Sequence, residues 1–300
     1  MSMDVAGVVG AGQMGRGITQ ILATGWVHVV LFDVYTKTLE EAVEEITARL
    51  NESVQKNALT EWVRDKILKN IKTTTRPEDL SGVDIVFEAV PEKEEIKADV
   101  FEMLDEICSE ETVFATVTSS LSITRMASIV SKPERFIGIH FFHPAYLISL
   151  VELVRGFQTS DETFSKAKQF VEKLGKTVIV SKDFPGFIVN RLILPMINEA
   201  VFLLMDGVAT VDTIDAAMRM GTGLPMGPFR MADMIGLDTC LDIMEILYTE
   251  FGDSKYRPAP LLRKYVEASL LGQKSGKGFY DYTAPAPVVP EKDKKAIHIV

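Results

Sequence analysis

Short apolar runs alternate with helical patterns through the first half of the chain. Residues 5–9, 27–32, 84–88, 113–116, 136–140, 150–154 and 177–180 read as strands. Strands separated by helical stretches argue for a parallel, doubly wound sheet with helices on both faces. The rhythm breaks over residues 37–69, which predict two long charged helices with Leu39, Val43, Ile46 and Leu50 on one face. Too few apolar positions remain to bury both helices, so a helical hairpin standing off the sheet is expected. After Lys182 the texture changes. Asp183-Phe184-Pro185-Gly186 reads as a helix start, with Asp183 as N-cap and Pro185 in the first turn. No strand pattern follows as far as Leu271. Met196, Ala200, Leu203 and Leu204 form one helical stripe, and residues 212–220, 229–235, 238–251 and 260–270 each predict a helix between Gly and Pro breaks.

The first strand runs into Gly10-Ala11-Gly12-Gln13-Met14-Gly15, and the second ends at Asp33. Gly10 allows a tight turn, Gly12 lets the backbone approach a pyrophosphate, and Gly15 lets helix and strand pack closely. The N-terminus of the helix that follows offers free N–H groups and a partial positive charge. Asp33 falls about 20 residues on, where a carboxylate binds both ribose hydroxyls of NAD and repels the 2′-phosphate of NADP. A bare Gly-x-Gly-x-x-Gly is often a plain turn; in this strand–turn–helix–strand setting it predicts dinucleotide binding by Gly10, Gly12, Gln13, Met14, Gly15 and Asp33. The expected fold class is therefore α/β. A Rossmann-type doubly wound sheet with a protruding helical hairpin occupies residues 1–183, an all-helical domain 184–282, and a mobile tail 283–300.

Composition narrows the function classes. A chain of 300 residues with 47% hydrophobic and 25% charged positions is that of a soluble globular protein of two domains. The net charge of −10 argues against a nucleic-acid partner, which needs a surplus of Lys and Arg on one face. The apolar stretch at residues 193–204 is too short for a membrane span and is broken by Pro195, Asn198 and Glu199. Cys108 and Cys240 sit in apolar helical contexts and read as reduced, buried thiols. With no signal-peptide pattern before the first strand, a cytoplasmic address is expected, although a cleaved mitochondrial leader would leave the same start.

Four histidines bear on the chemistry. His28 falls inside a strand and reads as a packed core imidazole; His298 lies in the tail. His140 and His143 close the strand Gly138-Ile139-His140-Phe141-Phe142-His143-Pro144. Ligands of open α/β sheets gather at the carboxyl ends of strands, and alcohol dehydrogenation needs a base near neutral pH while NAD takes the hydride. The His-x-x-His spacing could also hold a metal, but no third histidine or cysteine lies nearby, so no metal is expected. Glu152 interrupts the apolar run Leu150-Val151-Glu152-Leu153-Val154. It is either paired with an imidazole or a solvent-facing edge charge, and pattern alone leaves both open. Thr118-Ser119-Ser120-Leu121-Ser122 follows the strand at 113–116, and one of these serines should cap the next helix. Asn190, in Phe187-Ile188-Val189-Asn190-Arg191, is either a buried hydrogen-bonding amide or exposed.

Taken together, these segments resemble the 3-hydroxyacyl-CoA dehydrogenase family. The match extends through Gly227-Pro228, Ala232-Asp233 and Gly236-Leu237-Asp238 to Lys274-Ser275-Gly276-Lys277-Gly278-Phe279-Tyr280, nearly the whole chain before the tail. The resemblance implies NAD as cofactor, an acyl-CoA substrate of short chain and a homodimer formed through the helical domain. It implies His140 as the base paired with Glu152, and Ser119 and Asn190 on the substrate oxygens. It further implies Asp33 on the adenine ribose, Glu92 and Lys97 near the nicotinamide ribose, and Lys274 at the cofactor phosphates. The chain departs from the family pattern in three places. His143 and Val117 stand where asparagines beside the nicotinamide are usual, and Gln55-Lys56-Asn57-Ala58 keeps only Lys56 of a lysine group that meets CoA phosphates. The altered hairpin motivates one alternative, a dehydrogenase of the same fold acting on a hydroxy acid without CoA. His143 and Val117 motivate another, a cofactor-binding protein without turnover.

Overall fold

The computed structural model describes residues 3–283, and the expected mobile tail beyond Thr283, with His298, lies outside the described residues. The described chain forms two compact units that meet between Asn190 and Arg191.

The first unit is built on one eight-stranded sheet of order β3-β2-β1-β4-β5-β6-β7-β8. Its strands are β1 (Val5–Val9), β2 (His28–Phe32), β3 (Ile71–Thr74), β4 (Ile85–Glu88), β5 (Val113–Thr116), β6 (Phe136–Phe141), β7 (Leu150–Arg155) and β8 (Thr177–Lys182). Helices α1 (Gln13–Thr24), α2 (Thr36–Gln55), α3 (Glu61–Lys69), α4 (Glu94–Ile107), α5 (Ile123–Ala127) and α6 (Asp161–Lys173) connect them. The central strands are apolar without interruption because they are buried on both faces. Val8, Phe87 and Ala115 enter the core shared with α1, α2 and α6, while their neighbours Val9, Val86 and Phe114 enter the core shared with α4 and α5.

Four expectations need correction. The sheet is parallel except between β6 and β7, which run antiparallel. Residues 142–149 join them, a stretch too short for the crossover of about a dozen residues or more that a parallel pair requires. Strand β3 has no counterpart in the sequence reading, because it is an edge strand on which Thr74 alone is buried, so it shows no apolar alternation. The hairpin α2–α3 stands off the sheet only at its tip. Leu39, Ala42, Ile46 and Leu50 of α2 and Ile67 of α3 join the sheet core, and Glu45 bridges Arg16 of α1 and Arg49. Its tip, at Lys56, Asn57 and Ala58, is exposed. His28 is exposed rather than packed, because it is the first residue of β2, where burial has not yet begun.

The second unit is helical: α7 (Val189–Met205), whose first two residues belong to the first unit, α8 (Val211–Thr222), α9 (Pro228–Ile235), α10 (Leu237–Phe251) and α11 (Pro260–Glu267). Leu194, Ile197, Val201, Phe229, Met244 and Leu247 form its core. The buried stripe of α7 is thus rotated from the expected one: Ala200 is buried, but Met196, Leu203 and Leu204 are half-buried. No helix of the described residues is long and apolar enough to cross a membrane.

Candidate active site

The loop between β1 and α1 is shaped by its glycines. Gly10 has φ +97°, and a side chain there would meet the Ala89 carbonyl oxygen at 2.8 Å. A Cβ on Gly15 would lie 1.7 Å from the Gly10 carbonyl oxygen, so strand and helix can approach this closely only over glycine. Gly12 differs: nothing lies within 4 Å of a Cβ built there. It faces open space at the start of α1, a twelve-residue helix with no side-chain cap at Gly12. An uncapped helix N-terminus beside an open glycine fits a dinucleotide pyrophosphate. Asp33 is fixed at the mouth of this loop, its two oxygens accepting from the N–H groups of Ala11 at 2.8 Å and Tyr35 at 3.0 Å.

The antiparallel register of β6 and β7 sets His140 opposite Glu152. Nδ1 of His140 lies 2.7 Å from Oε2 of Glu152. The other carboxylate oxygen accepts from the backbone N–H groups of Ile188 at 3.1 Å and Val189 at 3.0 Å. A carboxylate can only accept, so the hydrogen-bond pattern assigns the ring proton to Nδ1 and leaves the lone pair of Nε2 free. Glu152 is fully buried and His140 is 5% exposed. The solvent-facing reading of Glu152 therefore fails, because β8 covers the far side of β7 and removes the edge. Phe142 and Phe187 hold the imidazole between them, with ring centroids 4.5 and 5.6 Å away.

The segment 183–189 delivers those two N–H groups, and its start is not a helix cap of the expected kind. Asp183 caps α5 instead, accepting from the N–H groups of Ile123 at 3.0 Å and Thr124 at 2.7 Å and from the Ser122 hydroxyl at 3.0 Å. Ser122 is the serine that caps α5 from within, accepting from Arg125 N–H. The chain then turns through Gly186 (φ +72°) and Phe187 (φ +48°) before α7 begins at Val189. Asn190 is half-buried in the first turn of α7, and its amide donates to the Ser119 carbonyl at 3.4 Å. Ser119 and Asn190 are thereby joined on one side of the sheet's carboxyl edge.

Glu92 gathers the Thr118–Ser120 turn. One of its oxygens accepts from the Thr118 hydroxyl, from Ser119 N–H at 2.9 Å and from the Ser120 hydroxyl at 3.0 Å. Its other oxygen faces the Lys97 ammonium at 3.2 Å. Burial works against the Glu92 charge, but Lys97 and these donors together hold its carboxyl below the usual range. Lys97 is 1% exposed and also donates to Glu88 at 2.7 Å and to the Val90 carbonyl at 3.4 Å. The three donors of Lys97 are thereby occupied within the protein, by Glu88, the Val90 carbonyl and Glu92. Motif spacing misses Glu88, although a carboxylate ending the apolar strand Ile85-Val86-Phe87-Glu88 is a readable signal.

Three further expected residues complete the set. Nε2 of His143 is 3.1 Å from Nε2 of Gln13, so this side chain reaches the glycine loop. Burial, and then the nearby Arg49 cation, lower its pKa from the usual histidine value. Lys56, at the hairpin tip, is paired with Glu52 at 2.5 Å. Lys274 belongs to the second unit, where Asp238 holds it at 2.6 Å. Among the described residues, no group of three or more His, Cys, Asp or Glu gathers as a metal site.

Comparison with known proteins covers nearly the whole described chain. The family model described as "3-hydroxyacyl-CoA dehydrogenase, NAD binding domain" matches residues 5–184, and that of the C-terminal domain matches 186–282. The 3-hydroxybutyryl-CoA dehydrogenase of Bradyrhizobium diazoefficiens is 51% identical, covering 94% of this chain and 96% of that protein. A probable 3-hydroxybutyryl-CoA dehydrogenase of Bacillus subtilis is 46% identical over 92% of this chain and 96% of that protein. The crystal structure of (S)-3-hydroxybutyryl-CoA dehydrogenase from Ralstonia eutropha superposes with a TM-score of 0.91 at 44% identity, covering 94% of this chain and all of that one.

Proposed function

The chain belongs to the 3-hydroxyacyl-CoA dehydrogenase family, and on that footing we propose that it interconverts 3-hydroxybutyryl-CoA, or a 3-hydroxyacyl-CoA of similar length, and the 3-oxoacyl-CoA. It is an NAD-dependent oxidoreductase, so the reading without turnover is set aside. One observation carries the proposed mechanism: a buried His140–Glu152 pair with the Nε2 lone pair free. Bound NAD supplies the hydride acceptor. Nε2 of His140 removes the proton from the substrate hydroxyl, and Glu152 holds Nδ1–H and stabilises the imidazolium that forms. Ser119 and Asn190 orient the substrate oxygens. Gly10, Gly12, Gln13, Met14, Gly15 and Asp33 hold the dinucleotide, with Glu92, steadied by Lys97, and His143 on its nicotinamide side. Lys56 is assigned to CoA. NADH oxidation with acetoacetyl-CoA, run against free acetoacetate, tests the carrier. Turnover of the thioester alone is expected; preference for the free acid would point to a non-CoA substrate.

The short acyl chain rests on the named relatives. We also assign dinucleotide binding to residues 1–183 and dimerisation to 184–282, as a homodimer in the cytoplasm. Exposed Leu192, Val208 and Met220 on the helical unit support the dimer, and the free thiols of Cys108 and Cys240 suit a reducing compartment. A sedimentation mass of one chain would overturn the dimer.

NADH is expected to be preferred to NADPH by at least ~10-fold in kcat/KM, on the order of 1.4 kcal/mol for one like-charge contact. Asp33 is pinned by two backbone N–H groups and cannot swing from a 2′-phosphate, and Val34-Tyr35-Thr36 supply no arginine to receive one. Equal efficiency with NADPH would contradict this.

His143 should sense the oxidised cofactor. When protonated it adds positive charge beside the glycine loop, against the cationic nicotinamide of NAD⁺. Its lowered pKa places that protonation on the acid side of ~6.5, the ordinary histidine value. His143→Asn is therefore expected to tighten NAD⁺ only at acid pH and to leave binding above neutrality unchanged. Parallel pH titrations of NAD⁺ affinity in the two forms would show that His143 has no such role.

A further inference from the structure

Glu88 takes no part in the proton transfer, yet it is fully buried at the carboxyl end of β4, with each oxygen engaged. One oxygen accepts from Lys97 at 2.7 Å and Val90 N–H at 2.9 Å, and the other from the Thr116 hydroxyl at 2.7 Å. Neutralising Lys97 would need only one carboxylate. A second, Glu92, shares the same ammonium and turns its other oxygen outward to the Thr118–Ser120 turn. The path thus runs from the sheet (Glu88) to α4 (Lys97), to the β4–α4 connection (Glu92) and on to Ser119. The turn closes on Glu88 from its other end as well, since Thr118 N–H donates to the same Thr116 hydroxyl at 3.4 Å. Buried charged networks of this kind are costly unless every member is satisfied, and their members are coupled.

We propose that Glu88 is a positioning residue for the reaction, fixing Ser119 through Lys97 and Glu92. The proposal rests on the role given to Ser119 above. Removing the Glu88 charge leaves Lys97 to Glu92 alone, and Glu92 is drawn inward, away from the turn. Misplacing a substrate-orienting group by a fraction of an ångström to an ångström lowers turnover without unfolding the protein.

The test is a double-mutant cycle on the full-length enzyme with saturating NADH and acetoacetyl-CoA. Glu88→Gln keeps the volume and, with its amide oxygen toward Lys97 and Val90 N–H, removes the charge; its N–H₂ then faces the Thr116 hydroxyl, which has to accept instead of donate. Its kcat is expected to fall on the order of 10-fold, with Tm near that of the wild type. In a Ser119→Ala background the same change should cost less than about 2-fold, because coupled sites are not additive. Thr116→Val, which withdraws one donor from Glu88 and alters no charge, repeats the cycle if Glu88→Gln does not fold, with a smaller loss and the same non-additivity. Unchanged kcat in Glu88→Gln, or losses that multiply in the double variant, would overturn the positioning role alone. Wild-type kcat in Ser119→Ala would overturn both this inference and the role of Ser119.

Discussion

His140→Gln loses at least ~100-fold in kcat while NADH binding stays at the wild-type level. Deleting a general base typically costs 10²–10⁴-fold. Glutamine can still donate to Glu152, so the buried carboxylate, already satisfied on its other side by Ile188 and Val189, keeps its partners. What glutamine lacks is a basic lone pair in the position of Nε2. The glycine loop belongs to β1 and α1, so its cradle is not altered by a change on β6. Steady-state kcat with acetoacetyl-CoA, beside a fluorescence titration of NADH, separates the two effects. Near wild-type turnover would mean that another group accepts the proton, and His143 would be examined next.

Gly12→Ala and Gly15→Ala are expected to fail in opposite ways. At Gly12 the added methyl meets no protein atom within 4 Å, so Tm should not move. It does intrude on the space assigned to the pyrophosphate. Overpacking of about 1–3 kcal/mol weakens NADH by ~5- to ~150-fold. At Gly15 the methyl collides with the Gly10 carbonyl at 1.7 Å, so α1 cannot dock on β1 and the fold itself is destabilised. Thermal melts and NADH titrations of both variants decide. A Gly12→Ala enzyme with unchanged NADH affinity would show that the phosphates do not lie over Gly12.

The sequence by itself determined the features that depend on neighbours along the chain. Strands β1, β4 and β5 are legible because both faces are buried and the run is apolar up to its last residue, and the change from sheet to helices after Lys182 is legible in the loss of such runs. The glycine loop with Asp33 is legible because backbone approach and ribose binding demand particular residues at particular spacings. His140 and His143 follow from a strand end and the scarcity of histidine.

Other features depended on partners remote in sequence. The polar edge strand β3 exists because β2 offers a free side, and nothing in Ile71-Lys72-Thr73-Thr74 announces that. The docking of α2 comes from Leu39, Ala42, Ile46 and Leu50 meeting the sheet core, with Glu45 tied to Arg16, 29 positions away. Pattern left Glu152 undecided between a pair and a solvent charge. Only the antiparallel turn of β7 against β6 set it opposite His140, and only β8 removed the edge it would have faced. A local capping rule assigns Asp183 to the helix that follows it, yet the helix it caps lies 60 residues earlier. Glu88, Lys97 and Glu92 form one network because a sheet end, a helix and a connection converge, and a buried charge must find its counter-charge wherever the fold brings one within reach. Periodicity records which face of an element is buried; which other element buries it is decided by the topology of the sheet.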